Sequence, residues 1–125
     1  MDQKVCLDTD ACIAIINRKG DYQSILNKIL YSRVFVSTVT LFELFLRKTN
    51  VVEVENFIKD LEILNFDTTS ARKASEILKI LKNEGELIEV RDLFIASAAI
   101  VNDCSLATFN KKHFSRIKEL ELLNF

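Results

Sequence analysis

The sequence has no proline and only two glycines, Gly20 and Gly85, in 125 residues. No low-complexity stretch or internal repeat interrupts it. Nothing therefore marks a linker, and residues 1–125 read as a single domain. Long apolar runs are also missing: LFIASAAIV (residues 93–101) is far short of the roughly 20 residues that span a bilayer, so no membrane association is expected. No basic-then-apolar leader opens the chain, so export is not expected either. An excess of one charge sign is absent, with 17 basic against 18 acidic residues and a net charge of −1. That balance argues against broad electrostatic capture of nucleic acid, yet it leaves room for a local basic rim around an acidic site. Cys6, Cys12 and Cys104 are odd in number and form no CxxC pair. They read as buried thiols and not as a disulfide framework or zinc site, which places the protein in a reducing, cytoplasmic compartment.

What is present is a globular composition, 49% hydrophobic and 28% charged, in a chain long enough to bury one core. Short β-like runs alternate with longer helical ones. The strand-like segments are KVCL (4–7), VFVS (34–37), EILNF (62–66), SLAT (105–108) and a weaker ELL (121–123). Between them the pattern predicts helices over 10–18, 22–31, 38–48, 51–61, 69–83, 87–102 and about 111–116. Ser37 or Thr38 can cap the helix bearing LFELFLR. Thr68 or Thr69 can cap the long one that follows, and Gly85 suits its C-terminal turn. Strands separated by helices imply crossover connections. The expected fold is α/β, a three-layer α/β/α arrangement around a mainly parallel sheet of about five strands. In such sheets ligands gather outside the carboxyl ends of the strands.

Most acidic residues sit in polar company and read as solvated surface. Three do not. Asp8 lies between VCL and an apolar helix, just past the end of the first strand. Glu43 interrupts VTLFELFLR, and Asp92 lies in LIEVRDLFIASAAIV. Each has an ordinary alternative: a cap for Asp8, an ion pair with Arg47 one turn on for Glu43, a nearby basic partner for Asp92. A carboxylate beside an apolar core is costly unless something pairs with it. Three such acids from distant segments are satisfied together if they converge on a shared cation. Asn110, after the fourth strand-like run, can cap a turn or join that cluster. Asp10 can extend the site or cap the first helix. His113 stands alone and reads as structural or surface.

The order LDTD…TLFEL…RDLFIASA…ATFNKKHF resembles the PIN domain, the fold of the toxin nucleases of VapBC-type (type II) toxin–antitoxin pairs, and the resemblance covers essentially the whole chain. It implies a PIN-like domain in which Asp8 matches the first acidic position, Glu43 the helix-borne Glu, Asp92 the Asp of D-x-x-I-A, and Asn110 the fourth, Asp-or-Asn position. Phe109 departs from the pattern, standing where such toxins often carry Arg or another polar residue. The resemblance implies RNA as substrate, a cognate antitoxin protein as partner, and a homodimer. The chemistry expected of the residues is metal-assisted hydrolysis of a phosphodiester by an endoribonuclease. Oxygen-only ligands favour Mg²⁺ or Mn²⁺ over zinc. Asp8 and Asp92 are the expected metal ligands, Glu43 a ligand or water-orienting base, and Asn110 a support. Arg47, Arg91, Lys111 and Lys112 are candidate substrate contacts on a basic rim. Other readings compete. VCLDTDAC also fits the opening of a haloacid-dehalogenase-like phosphatase, although the later Lys and strand-terminal acidic pair of that chemistry are not found. A PIN-fold binding module without turnover is the other alternative. An α/β signalling receiver would leave Glu43 and Asp92 unexplained.

Overall fold

Alternation in the short apolar runs sets the architecture. In β1 (Lys4–Leu7), Val5 and Leu7 point to one face and Cys6 to the other, and all three are fully buried. Strands buried on both faces are what a parallel sheet covered by helices requires. The computed structural model describes residues 3–125, and among these residues β1 is joined by β2 (Arg33–Ser37), β3 (Glu62–Leu64) and β4 (Ser105–Ala107). The order is β3-β2-β1-β4 with every pairing parallel. Cys6 lies across from Phe35 on one side and Leu106 on the other, which puts β1 at the centre of the sheet.

The intervening segments form α1 (Thr9–Asn17), α2 (Tyr22–Ile29), α3 (Thr38–Phe45), α4 (Val51–Ile58), α5 (Thr68–Asn83), α6 (Val90–Val101) and α7 (Lys111–Phe114). Val5, Leu7, Val36 and Ala107 of the sheet pack with Ala11, Cys12, Ile25, Leu44 and Val54, so α1 to α4 cover one face. Cys6, Phe35, Leu64 and Leu106 pack with Ala74, Ile77, Leu81, Ile95 and Ala99, so α5 and α6 cover the other, with Phe114 of α7 beside them. The three-layer α/β/α expectation holds, and all three cysteines are free and buried. No described helix is long and apolar enough to cross a membrane.

The departures are local and have physical causes. The expected fifth strand, 121–123, is reduced to a single parallel bridge between Leu106 and Leu122. Leu106 N–H donates to Glu121 C=O, and Leu123 N–H donates to Leu106 C=O, both at 2.8 Å, so one residue is straddled and the ladder goes no further. β3 stops at Leu64 because Phe66 N–H leaves the sheet direction and bonds the Thr38 hydroxyl at 3.1 Å. Asp67, not Thr68 or Thr69, caps α5 by accepting from Ser70 N–H at 2.9 Å. α6 starts at Val90 and not at 87, because the Glu89 carboxylate accepts from Arg91 N–H and Asp92 N–H and fixes the first turn there. Ser37 caps α3 as expected, accepting from Thr40 N–H at 3.1 Å, and Gly85 takes the left-handed conformation (φ 70°) just beyond α5.

The packing yields a test. Ile95 is fully buried against the sheet, whereas Leu87 is 73% exposed in the segment before α6. Ile95→Ala should lower unfolding stability by about 2–5 kcal/mol, and Leu87→Ala should leave it within about 0.5 kcal/mol. Urea denaturation of the two variants compares them directly. Equal losses would contradict this placement of α6.

Candidate active site

The carboxyl ends of β1, β2 and β4 open on one side of the sheet, and the out-of-place acids lie there. Asp8 leaves β1 with extended backbone, and its N–H donates to Ala107 C=O at 3.2 Å, continuing the ladder to β4 by one step. Its Oδ1 accepts from Ala11 N–H at 2.8 Å, so Asp8 itself is the N-cap of α1. This corrects the alternative that Asp10 caps that helix: Asp10 sits inside the first turn, exposed. The Asp8 side chain is almost wholly buried, with residue exposure of 4%. Burial pushes its pKa up to about 6; bonds from the Thr108 hydroxyl and Ala11 N–H pull the other way, and Asp10 and Asp92 add to the rise by repulsion.

Glu43 projects from α3 toward the start of α1. Thr9 Oγ1 donates to Glu43 Oε1 at 2.6 Å and lies 3.2 Å from Thr40 Oγ1. The second carboxylate oxygen faces Arg91 Nη1 at 3.6 Å. An ion pair between Glu43 and Arg47 does not form among the described residues. α3 ends at Phe45, so Arg47 is not one helical turn further along the same face, and its Nε is buried without a hydrogen-bond partner. Asp92, in the first turn of α6, is half-buried. Burial raises its pKa, His113 opposes the rise, and Glu89, Glu43 and Asp10 reinforce it. His113 Nε2 stands 3.2 Å from Asp92 Oδ2 but lacks the alignment of a hydrogen bond. His113 therefore borders the acids, although in the sequence it reads as an isolated structural or surface residue.

Asp92 thus lies within the electrostatic reach of both Asp8 and Glu43 at the carboxyl edge of the sheet, and Asp10 acts on Asp8 and Asp92. Among the described residues, however, no three His, Cys, Asp or Glu side chains are close enough to hold one metal ion as they stand. The fit that remains is a pair, Asp8 with Asp92. Mg²⁺ needs only one or two carboxylates, since it keeps several of its waters, and Asp8 and Asp92 are carboxyls whose pKa values are both raised, each in part by repulsion from other acids. Asn110 is exposed and makes no side-chain cap bond to α7; its backbone N–H donates to Thr108 Oγ1 at 2.9 Å. Arg91 borders the cleft, shared between Glu43 and Glu89. Lys112 is exposed nearby, and Lys111 Nζ lies 4.2 Å from the centre of the Phe125 ring, turned toward that ring. The supporting hydroxyls Thr9, Thr40 and Thr108 were not singled out in the sequence. The only signal was adjacency, Thr9 directly after Asp8 and Thr108 two residues before Asn110.

Comparison with known proteins bears on the whole chain. The family profile described as "PIN domain" matches residues 5–120. The tRNA(fMet)-specific endonuclease VapC of Salmonella typhimurium is 30% identical over 126 aligned positions, covering 95% of this chain and 96% of that one. Ribonuclease VapC2 of Rickettsia felis is 30% identical over 128 positions, with 95% and 96% covered. Among solved structures, VapBC2 from Rickettsia felis bound to a DNA fragment from its promoter superposes with a TM-score of 0.86 at 30% identity, covering 98% of this chain and 99% of that one.

The burial of Asp8 generates a pH prediction. Its folded pKa, about 6, lies above the ordinary 3.8, so the folded state keeps a proton that the unfolded state releases. Stability of the metal-free protein should therefore fall as pH rises from about 4 to 6 and then level off. Asp8→Asn keeps a capping oxygen and removes the charge. It should be more stable than wild type at pH 7.5 without divalent ions, by about 1–3 kcal/mol, with a flatter slope between pH 4 and 6. Thermal unfolding across that range measures both effects, and a variant less stable than wild type at pH 7.5 would refute them.

Proposed function

The chain belongs to the PIN domain family, and on that footing we propose that it is a cytoplasmic, metal-dependent endoribonuclease, the toxin of a toxin–antitoxin pair. The observation that carries this reading is the buried carboxyl of Asp8 at the carboxyl end of β1, with Asp92 near enough to raise its pKa by repulsion. Curated relatives matched over nearly their full length are named as VapC ribonucleases and endonucleases.

Asp8 and Asp92 are the residues that would hold Mg²⁺ or Mn²⁺. When bound, such a cation neutralises charge on a phosphodiester and lowers the pKa of a water. Asp8 is fixed for this role by its cap bond and by Thr108, which leave its rotamer little freedom. Glu43 is aimed by Thr9 and Arg91 and serves as a second acid, ligand or acceptor of the attacking water's proton. Asn110 supports the site from the turn after β4. His113 positions Asp92 from the outer side, and its charge when protonated competes with a cation for that carboxylate. Arg91, Arg47, Lys111 and Lys112 form the rim that offsets the repulsion between an acidic cleft and RNA.

The partner is a cognate antitoxin protein, as in the VapBC structures the chain resembles, and the toxin is itself a homodimer. Exposed apolar side chains on and beside α3 and α4, namely Phe42, Phe45, Leu46, Val51 and Val52, support a protein-binding face. The haloacid-dehalogenase-like alternative falls with the family assignment. A non-catalytic binding module is the reading to which a failed activity test would lead.

The test is RNA cleavage by purified protein freed of any co-purifying peptide. Wild type should cut with Mg²⁺ or Mn²⁺ and stop on addition of EDTA, while Asp92→Asn should lose about 100-fold or more of the rate. Cleavage that survives EDTA, or that the variant retains in full, would overturn the mechanism.

A further inference from the structure

Beside the carboxyl edge of the sheet lies a groove of about 270 Å³, lined by Ile13, Ala14 and Asn17 of α1, by Lys19 and Asp21 after it, and by Phe109 from the turn after β4. Asp10 lines it as well, and Thr108, which bonds Asp8, directly precedes Phe109, so the groove lies beside Asp8. Phe109 is a large apolar residue left 41% exposed. Its ring is nevertheless braced: it meets Phe125 nearly perpendicularly, at 88° with centroids 5.5 Å apart, and Lys111 covers the Phe125 ring in turn. A braced, partly exposed aromatic face beside aliphatic side chains suits a flat π-system, with Asn17 and Lys19 available to the polar groups attached to it and Asp10 and Asp21 to hydrogen-bond donors on its edge. Proteins that select single-stranded RNA commonly stack splayed bases on such rings.

We propose that this groove is a nucleobase subsite, in which the base adjoining the scissile phosphate stacks on Phe109 while Lys19 meets the backbone beyond it. The proposal rests on the nuclease reading above, because that reading places the phosphate at Asp8 and Asp92. It assigns Phe109 to substrate selection and leaves the chemistry to the acids. Stacking accepts every base, so the subsite demands an unpaired nucleotide and not a particular sequence. The substrate class is accordingly RNA that is single-stranded at the cut.

The experiment uses the Asp92→Asn protein, expected to leave RNA uncut, and fluorescein-labelled single-stranded RNA dodecamers that either carry all their bases or are abasic at every position. Binding is read by fluorescence anisotropy. Loss of the bases should weaken binding about 5- to 100-fold. That sensitivity should vanish when Phe109→Ala is added and persist with Phe109→Trp. A Phe109→Ala effect that is the same with and without the base would overturn the subsite, as would an absence of measurable RNA binding. Weakened binding of a protein partner by Phe109→Ala, without any coupling to a base, would also overturn it and give the groove to that partner. The nuclease reading is judged separately by wild-type cleavage. Coupling without cleavage would retain the subsite and remove the nuclease, whereas cleavage without coupling would do the reverse.

Discussion

The bond pattern around Asp8 is the constraint from which the rest of the site follows. One residue ends β1, extends the pairing to β4 through its N–H, and starts α1 through its carboxylate. Three elements are thereby locked at one point, and the price of that economy is a carboxyl group taken almost completely out of water. Removing such a group from water without a full counter-charge disfavours its ionised form. The protein compensates partly with Thr108 and Ala11, then adds further negative charge nearby in Asp10 and Asp92. A fold selected only for stability gains nothing from that arrangement. A site that holds a cation, as proposed above, would.

The surrounding acids are handled differently from one another, and the differences have local causes. Glu43 is held by a short bond from Thr9 and faces Arg91, so its charge is compensated within the protein. Asp92 has His113 on its flank and lies in the field of Glu89, Glu43 and Asp10. The two carboxyls with raised pKa are thus on different elements, β1–α1 and α6, which pack on opposite faces of the sheet. The acids thus come from both helical layers and approach one another at the carboxyl edge of the sheet that the layers share.

Much of this was legible in the sequence because period and burial are local signals. The KVCL and RVFVS runs alternate toward two cores, and strand, helix and turn residues agree with one another. The three acids stood out because each broke an apolar run. What was not legible depended on tertiary placement. Glu43 was read against Arg47 along a helix that stops at Phe45, while its actual cation, Arg91, lies 48 residues away in sequence. Asp10 and Asp8 are equally plausible caps on paper, and only the direction of the chain leaving β1 chooses Asp8. The neighbours of His113 are apolar or basic in sequence, so its approach to Asp92 exists only once α7 folds back beside α6. The fifth strand was overestimated because apolar alternation in ELL does not reveal that one residue alone meets β4.

That single bridge has a consequence for how the molecule meets other chains. Leu106 and Leu122 occupy the outer side of β4, so the backbone groups there are already used. The opposite margin of the sheet, β3, is only three residues long, and its first residue, Glu62, which pairs with Phe35, holds an ion pair with Arg33 two residues earlier on β2. Short, charged margins resist strand addition. Association by sheet extension is therefore disfavoured at both ends, and self-assembly into cross-strand aggregates is guarded against even though exposed apolar side chains are plentiful on the helical surface.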